Sequence, residues 1–267
     1  MADSQSPIAD SQSQSPEFMS HPSYTAGYYQ SIREDSAASA RESVPLIMKL
    51  FAPRSVVDVG CGPGTWASEY KRSGASVLGI DGYDVRTDQL LIEPREFERR
   101  ELTRPLRLER GFDLVNCLEV AEHLPATRAA SFVEDLCRLG DVVLFSAAVP
   151  GQGGTHHINE QWPSYWIAFF QGNGFQALDC IRPQLWKNEK VAWWYAQNMF
   201  VFIRQDRVAG FPAAVEAGSR GGPVDLVHPR AYARATVPRE MSPRMIKEVL
   251  RALPYFPGKI AAHLRKR

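Results

Sequence analysis

The sequence predicts an α/β protein in which helices separate the strands of a mostly parallel sheet. Three observations predict it. Residues 55–59 read as a short buried strand, after which Gly60, Gly62 and Gly64 stand at alternate positions before a helical pattern opens at Thr65. Asp81 stands 19 residues beyond Gly62, at the end of a second apolar run over 76–80. Apolar runs and helical patterns then alternate as far as residue 204, which is the order of βαβ units.

Composition narrows the class. The chain has 267 residues, 44% of them apolar and 23% charged, which is ordinary for a globular domain with extensions. A formal net charge of +1 gives no overall pull towards nucleic acid or an anionic membrane. No apolar run approaches the length of a membrane span. Cys61, Cys117, Cys137 and Cys180 form no C-x-x-C pair, and several fall in expected core elements, so reduced thiols in a reducing, cytoplasmic compartment are expected. The N-terminus lacks the basic and apolar regions of a secretory signal.

In chain order, residues 1–23 begin with a Ser/Gln/Asp/Pro-rich near-repeat and are expected to form a disordered extension. Tyr24, Tyr28 and Tyr29 are candidates for a lid. A helix follows over 35–51, with Val44, Ile47, Met48 and Phe51 on one face and Pro53 beyond its end. In the glycine loop, residues without Cβ take positive φ and let a ligand touch the backbone, and the free N–H groups of the helix at 65–72 face that ligand. A carboxylate at Asp81 suits two hydrogen bonds from ribose hydroxyls. Residues 97–101 read as a weak, charged third strand and 112–118 as the fourth. A helix over 126–139 buries Phe132, Val133, Leu136 and Leu139. The fifth strand covers 142–146.

The next loop, 147–162, carries "AAVPGQGGTHHINEQW" and lies where ligands bind in open α/β sheets. Pro163 opens a helix whose stripe is Trp162, Tyr165, Trp166, Phe169 and Phe170, read as core packing; Gly172 and Gly174 stop it. Strands are expected over 176–181 and 198–204. Between them, Trp193, Trp194 and Tyr195 read as strand positions on alternating faces, so at least one faces a cleft or partner. Residues 24–205 thus make the domain. A Gly/Ala/Pro-rich linker begins at 206, followed by a helical stripe over 242–253 and a basic end over 258–267. That end reads as a solvated helix terminus, with a membrane or partner contact as the alternative.

The spacing Asp58-x-Gly60-x-Gly62-x-Gly64 differs from the dinucleotide pattern G-x-G-x-x-G and resembles motif I of the class I S-adenosylmethionine-dependent methyltransferases. "Phe112-Asp113-Leu114-Val115" running into "Leu118-Glu119-Val120-Ala121-Glu122-His123-Leu124" is similar to a second signature of that superfamily. The resemblance covers 40–204. It implies a Rossmann-like sheet of seven strands in the order 3-2-1-4-5-7-6, the seventh antiparallel. It also implies S-adenosylmethionine as cofactor, with Asp58, Gly60, Gly62, Gly64, Asp81, Glu101, Leu102 and Leu118 as its site; Glu101 stands where Asp is common. "GGTHHINEQWPSYW" and "WWYAQNM" look like a bacterial subgroup tied to sugar or secondary-metabolite tailoring.

The expected activity is therefore methyl transfer to a hydroxyl of a polar small molecule or glycan. A hydroxyl must lose its proton as the bond forms, so a base is required. His157 or His156 is the expected base, with Glu160 orienting the ring; His123 is a weaker candidate. His156, His157 and Glu160 also suggest metal ligands, but adjacent side chains on an extended loop point apart and no third group stands out, so no metal is expected. Neither a nucleic-acid partner nor an integral membrane segment is expected, and assembly, if any, is a weak homodimer. The rival readings are an N-methyltransferase on an amino sugar or peptide, and a non-catalytic module of the same fold.

Overall fold

The structure is a computed structural model describing residues 26–82, 85, 87–219 and 221–236. The expected N-terminal extension, Tyr24, the 242–253 stripe and the basic end lie outside these residues, as do the side chains of Tyr28 and Tyr29. One seven-stranded sheet runs in the order β3-β2-β1-β4-β5-β7-β6, as the resemblance implies. The pairs among β1–β5 are parallel, and β7 runs antiparallel to both β5 and β6.

Helix α1 (Ala26–Phe51) starts earlier than the pattern suggested. Val44, Ile47 and Phe51 are buried on the sheet with Ala40. The helix gives way at Ala52, which adopts φ 45° before Pro53. Strand β1 (Ser55–Val59) and helix α2 (Thr65–Arg72) fall where expected. Parallel strands covered on both faces are apolar throughout, and β1, β2 (Ser76–Asp81), β4 (Leu114–Leu118) and β5 (Val142–Ser146) are buried almost end to end. Strand β3 (Phe97–Arg99) is shorter than the expected 97–101 because it pairs with Gly79, Ile80 and Asp81 and stops where β2 stops.

Beyond β4, a 3-10 turn over Ala126–Arg128 leads into α3 (Ala129–Leu139), which buries Phe132, Val133, Leu136 and Leu139. Helix α4 (Pro163–Gly172) buries Trp166 and Phe170. Tyr165 and Phe169 pack at the margin and Trp162 is exposed, so only part of the expected stripe is core. Phe170 stacks on Phe202 with ring centroids 3.7 Å apart.

Three expectations are corrected downstream. Strand β6 is Phe175–Leu178 rather than 176–181. Arg182 pairs with both carboxylate oxygens of Asp179 at 2.9 and 2.6 Å, turning the chain into the short helix α5 (Arg182–Leu185). Trp193, Trp194 and Tyr195 open a helix, α6 (Trp193–Asn198), so the alternating-face argument does not apply. Trp193 and Tyr195 are both buried, Tyr195 against Trp66, and β7 starts only at Phe200 and runs to Arg204. The stretch after Arg204 is no free linker over its described length. A 3-10 helix and α7 (Pro212–Gly218) bury Ala214, and Phe211 meets Phe51. Asp225 then caps α4 through Ser164, and His228, just before α8 (Pro229–Thr236), is buried over Gln197.

Candidate active site

The glycine loop leaves β1 with Gly60, Gly62 and Gly64 at φ 78°, 53° and 87°, a region side chains rarely occupy. They differ in what surrounds them. A Cβ on Gly60 would lie 2.2 Å from Val120 Cγ2 and one on Gly64 3.0 Å from Ile92 Cγ1, so those two are required by packing. A Cβ on Gly62 would meet nothing within 4 Å, which leaves its surface open. The Gly62 N–H donates to Asp81 Oδ2 at 2.7 Å, so the acid ending β2 holds the loop in shape.

Asp58 plays a different part from the others. It is buried, and it accepts Asn116 Nδ2–H at 2.7 Å and the Ala67 N–H at 3.1 Å. Gly64, at the α2 N-terminus, has no side chain to cap it, and the Asp58 carboxylate supplies that cap from β1. Burial pushes its pKa up to about 7, against those two hydrogen bonds. Glu101 is exposed and accepts from Thr103 N and Oγ1. It stands beside Asp81 because Arg100 N–H donates to the Asp81 carbonyl. Leu102 and Leu118 are buried in different clusters, Leu102 with α3 and Leu118 with α1.

The second half of the site forms where β4 and β5 end. Glu119 follows β4 at φ 55°, a strained conformation for a residue with a side chain. Its N–H donates to the Ser146 carbonyl and hydroxyl, and its carboxylate accepts Gln152 Nε2–H at 2.7 Å and Asn198 Nδ2–H at 3.1 Å. Burial raises its pKa, opposed first by the Asn198 hydrogen bond. Glu122 is fully buried; burial first, and the Glu119 charge second, push its pKa well above the usual range. The Glu122 carbonyl accepts the N–H groups of Ile158 and Asn159, so the 147–162 loop is fastened to the segment after β4.

That fastening sorts the loop histidines. His157 is half-buried, and its Nδ1 lies 2.9 Å from Glu160 Oε1. Glu160 also accepts the Gly151 and Gly153 N–H groups at 2.8 Å each. A carboxylate only accepts, so this network assigns the hydrogen to His157 Nδ1 and leaves a lone pair on Nε2. His156 is exposed at φ 59°, and its carbonyl lies 3.3 Å from His123 Nδ1. His123 meets His157 edge to face at 4.9 Å. Gly154 lies under the His157 ring, where a Cβ would come within 2.2 Å of Nε2.

The structure therefore brings His157 and Glu160 together, and joins to them His123, Glu122 and Glu119. No third metal-ligating group was evident beside the loop histidines in sequence; Glu122 and His123 come from the segment after β4. Glu119, Gln152 and Asn198 were missed as a cluster. The available signal was two acids three residues apart in the otherwise apolar "LEVAEHL".

A family model described as "Methyltransferase domain" matches residues 29–204. The ubiquinone biosynthesis O-methyltransferase of Nitrosomonas europaea is 37% identical over 106 residues, 36% of this chain and 44% of that protein. Its counterpart in Acinetobacter baumannii is 33% identical over 107 residues, again 36% and 44%. The chain thus spans less than half the length of these curated relatives. Among solved structures, Streptomyces venezuelae DesVI has a TM-score of 0.52 at 15% identity, over 66% of this chain and 94% of that one. The sugar N-methyltransferase KedS8 from Streptoalloteichus sp. has 0.52 at 16%, over 74% and 100%. These likenesses are of fold. The family match covers most of the domain, its sheet order is the one observed, and the methyl donor of that family is S-adenosylmethionine. The chain belongs to the S-adenosylmethionine-dependent methyltransferases of class I.

Proposed function

We propose that the chain transfers a methyl group to a hydroxyl of a polar small molecule or glycan, with His157 taking the hydroxyl proton. The observation that carries this reading is the His157–Glu160 pair at the carboxyl ends of β4 and β5. Glu160 fixes the ring and stabilises its charged form, and Nε2 is the nitrogen left to accept a proton. S-adenosylmethionine, when bound, supplies a methyl group activated on a sulfonium.

The open face of Gly62 fits that ligand, since a close approach to backbone needs a position with neither Cβ nor neighbour. On this reading Gly60, Gly62 and Gly64 shape the cradle, Asp81 receives ribose hydroxyls, and Glu101, Leu102 and Leu118 border the adenine. Asp58 acts from beneath, by holding the start of α2. Gln152 and Asn198 offer polar groups for an acceptor rich in hydroxyls. The four cysteines, all free and buried, support a reducing, cytoplasmic setting. Among the described residues no helix is long and apolar enough to cross a membrane.

The test is a screen of polyhydroxylated small molecules and glycans with S-adenosylmethionine, reading the methylated atom by mass spectrometry and NMR. His157→Ala should lower turnover by about two to four orders of magnitude with cofactor affinity kept. Methylation at nitrogen, or turnover near the wild-type rate in the variant, would remove this reading.

A further inference from the structure

We propose that Glu122, His123 and His157 form a binding site for a divalent first-row transition cation that also takes up the acceptor hydroxyl. One donor atom from each of the three residues lies within 4.8 Å of the others. Two imidazoles with one carboxylate suit manganese, iron, cobalt or zinc better than magnesium or calcium, which favour oxygen donors.

Two independent features point to a ligand there. The first is Glu122. Its side chain is fully buried, and among the described residues neither carboxylate oxygen has a hydrogen-bond partner. The backbone N–H groups of Glu122 and Ala148 act on it only from outside hydrogen-bonding geometry. Buried carboxylates are ordinarily paired, hydrogen-bonded or bound to a metal. The nearby Glu119 does not fill the gap, because its oxygens are engaged by Gln152 and Asn198.

The second feature is the other side of each imidazole. A histidine that ligates a metal almost always gives its remaining ring N–H to a carboxylate, a backbone carbonyl or water, which fixes tautomer and orientation. Both rings have that arrangement. His157 Nδ1 lies 2.9 Å from Glu160 Oε1, and His123 Nδ1 lies 3.3 Å from the His156 carbonyl. Nε2 is left as the ligating atom in each. Glu160 is itself held by the Gly151 and Gly153 N–H groups, so the support extends one layer further. The exposed edge at His123 gives the cation a way in, and Glu122 closes the inner side.

Three protein donors leave coordination positions open. The consequence for chemistry rests on the O-methyl reading above. A hydroxyl bound to the cation loses its proton to water at a lowered pKa. The oxygen lone pair then forms the O–C bond as the S–C bond of the sulfonium breaks, leaving a neutral thioether. In the loaded site His157 is a ligand, and the acidity of the bound hydroxyl replaces the proton acceptance assigned to its ring.

The test begins with binding. The full chain, stripped with chelator, is titrated with Co²⁺, Mn²⁺ and Zn²⁺ by calorimetry, and the Co²⁺ form is examined by visible absorption and histidine NMR. One equivalent should bind, with the His123 and His157 ring signals shifted by Co²⁺. Glu122→Gln and His123→Ala should each weaken binding at least tenfold, and Glu160→Gln by about ten- to a hundredfold, with S-adenosylmethionine affinity unchanged. Absence of binding at about 1 mM for all three ions, or unchanged affinity in the Glu122 and His123 variants, overturns the site. If those variants do not fold, unshifted ring signals in the wild-type Co²⁺ titration overturn it alone. Oxygen methylation at full rate by stripped protein removes the cation and keeps the reading above; cation binding with methylation only at nitrogen does the reverse.

Discussion

Gly154→Ala should silence the site with a single methyl group. A Cβ there would lie 2.2 Å from His157 Nε2 and 2.4 Å from Cε1, whereas ordinary contact begins near 3.4 Å, so the ring must retreat by about 1.2 Å. Gly154 does not have positive φ, so alanine strains no backbone. The clashing atoms end a side chain that can swing, and the fold should survive. The ring cannot swing and keep Glu160, because Nδ1 is 2.9 Å from a carboxylate that two backbone N–H groups hold in place. A displacement of about 1 Å at a reacting group costs on the order of 10²-fold in rate. Turnover of the acceptor found by screening, followed as S-adenosylhomocysteine release, should fall by about that factor. Cofactor affinity and thermal midpoint should stay near wild type, while the His157 ring signals move in a ¹⁵N spectrum. A variant within about twofold of wild type in turnover would refute the argument that the position of this ring matters.

Other perturbations separate the remaining roles. A Cβ at Gly62 meets no neighbour, and in Gly62→Val the branched side chain occupies the open cradle at φ 53°, so S-adenosylmethionine affinity should be lost while the circular dichroism spectrum is kept; unchanged affinity by calorimetry would remove the cradle assignment. Asp58 holds its proton to about pH 7 when folded but releases it near the usual 3.8 when unfolded. The folded state therefore binds more protons between these values, and stability should fall as pH rises from about 4 through about 7. Urea unfolding of wild type and Asp58→Asn at pH 5 and 8 checks this, and an equal decline in both would contradict it. Burial pushes the Cys137 and Cys180 thiols up to about 12 and those of Cys61 and Cys117 higher, so all four should react with a disulfide reagent at pH 8 at least about a hundredfold faster after unfolding.

Where local sequence and local environment agree, the fold was readable from the chain. Val56, Val57 and Val59 are apolar because both faces of β1 are covered, and the glycines that follow permit one kind of turn. That is why β1, α2 and β5 fall where the pattern put them. Trp193–Tyr195 shows the opposite case. Adjacent aromatics favour strands, but Tyr195 finds its ring partner in distant Trp66, and packing overrides the local preference. Arg182 is similar: a buried guanidinium over the Phe200 ring at 3.9 Å, anchored to Asp179, ends β6 at a point no strand pattern marks. In the site, His157 and Glu160 were legible as a pair because they stand three positions apart on one loop. Glu122 was not, because its setting comes from residues of that loop more than thirty positions away.

Val120 packs against Gly60 so closely that a Cβ would overlap it, and two residues on, the Glu122 carbonyl carries the N–H groups of Ile158 and Asn159. The two loops that would receive donor and acceptor therefore lean on opposite ends of one short strut. Whatever steadies one end lowers the entropic penalty for ordering the other. Such a link works equally in both directions: the factor by which a filled glycine cradle tightens acceptor binding is the factor by which acceptor tightens the cradle.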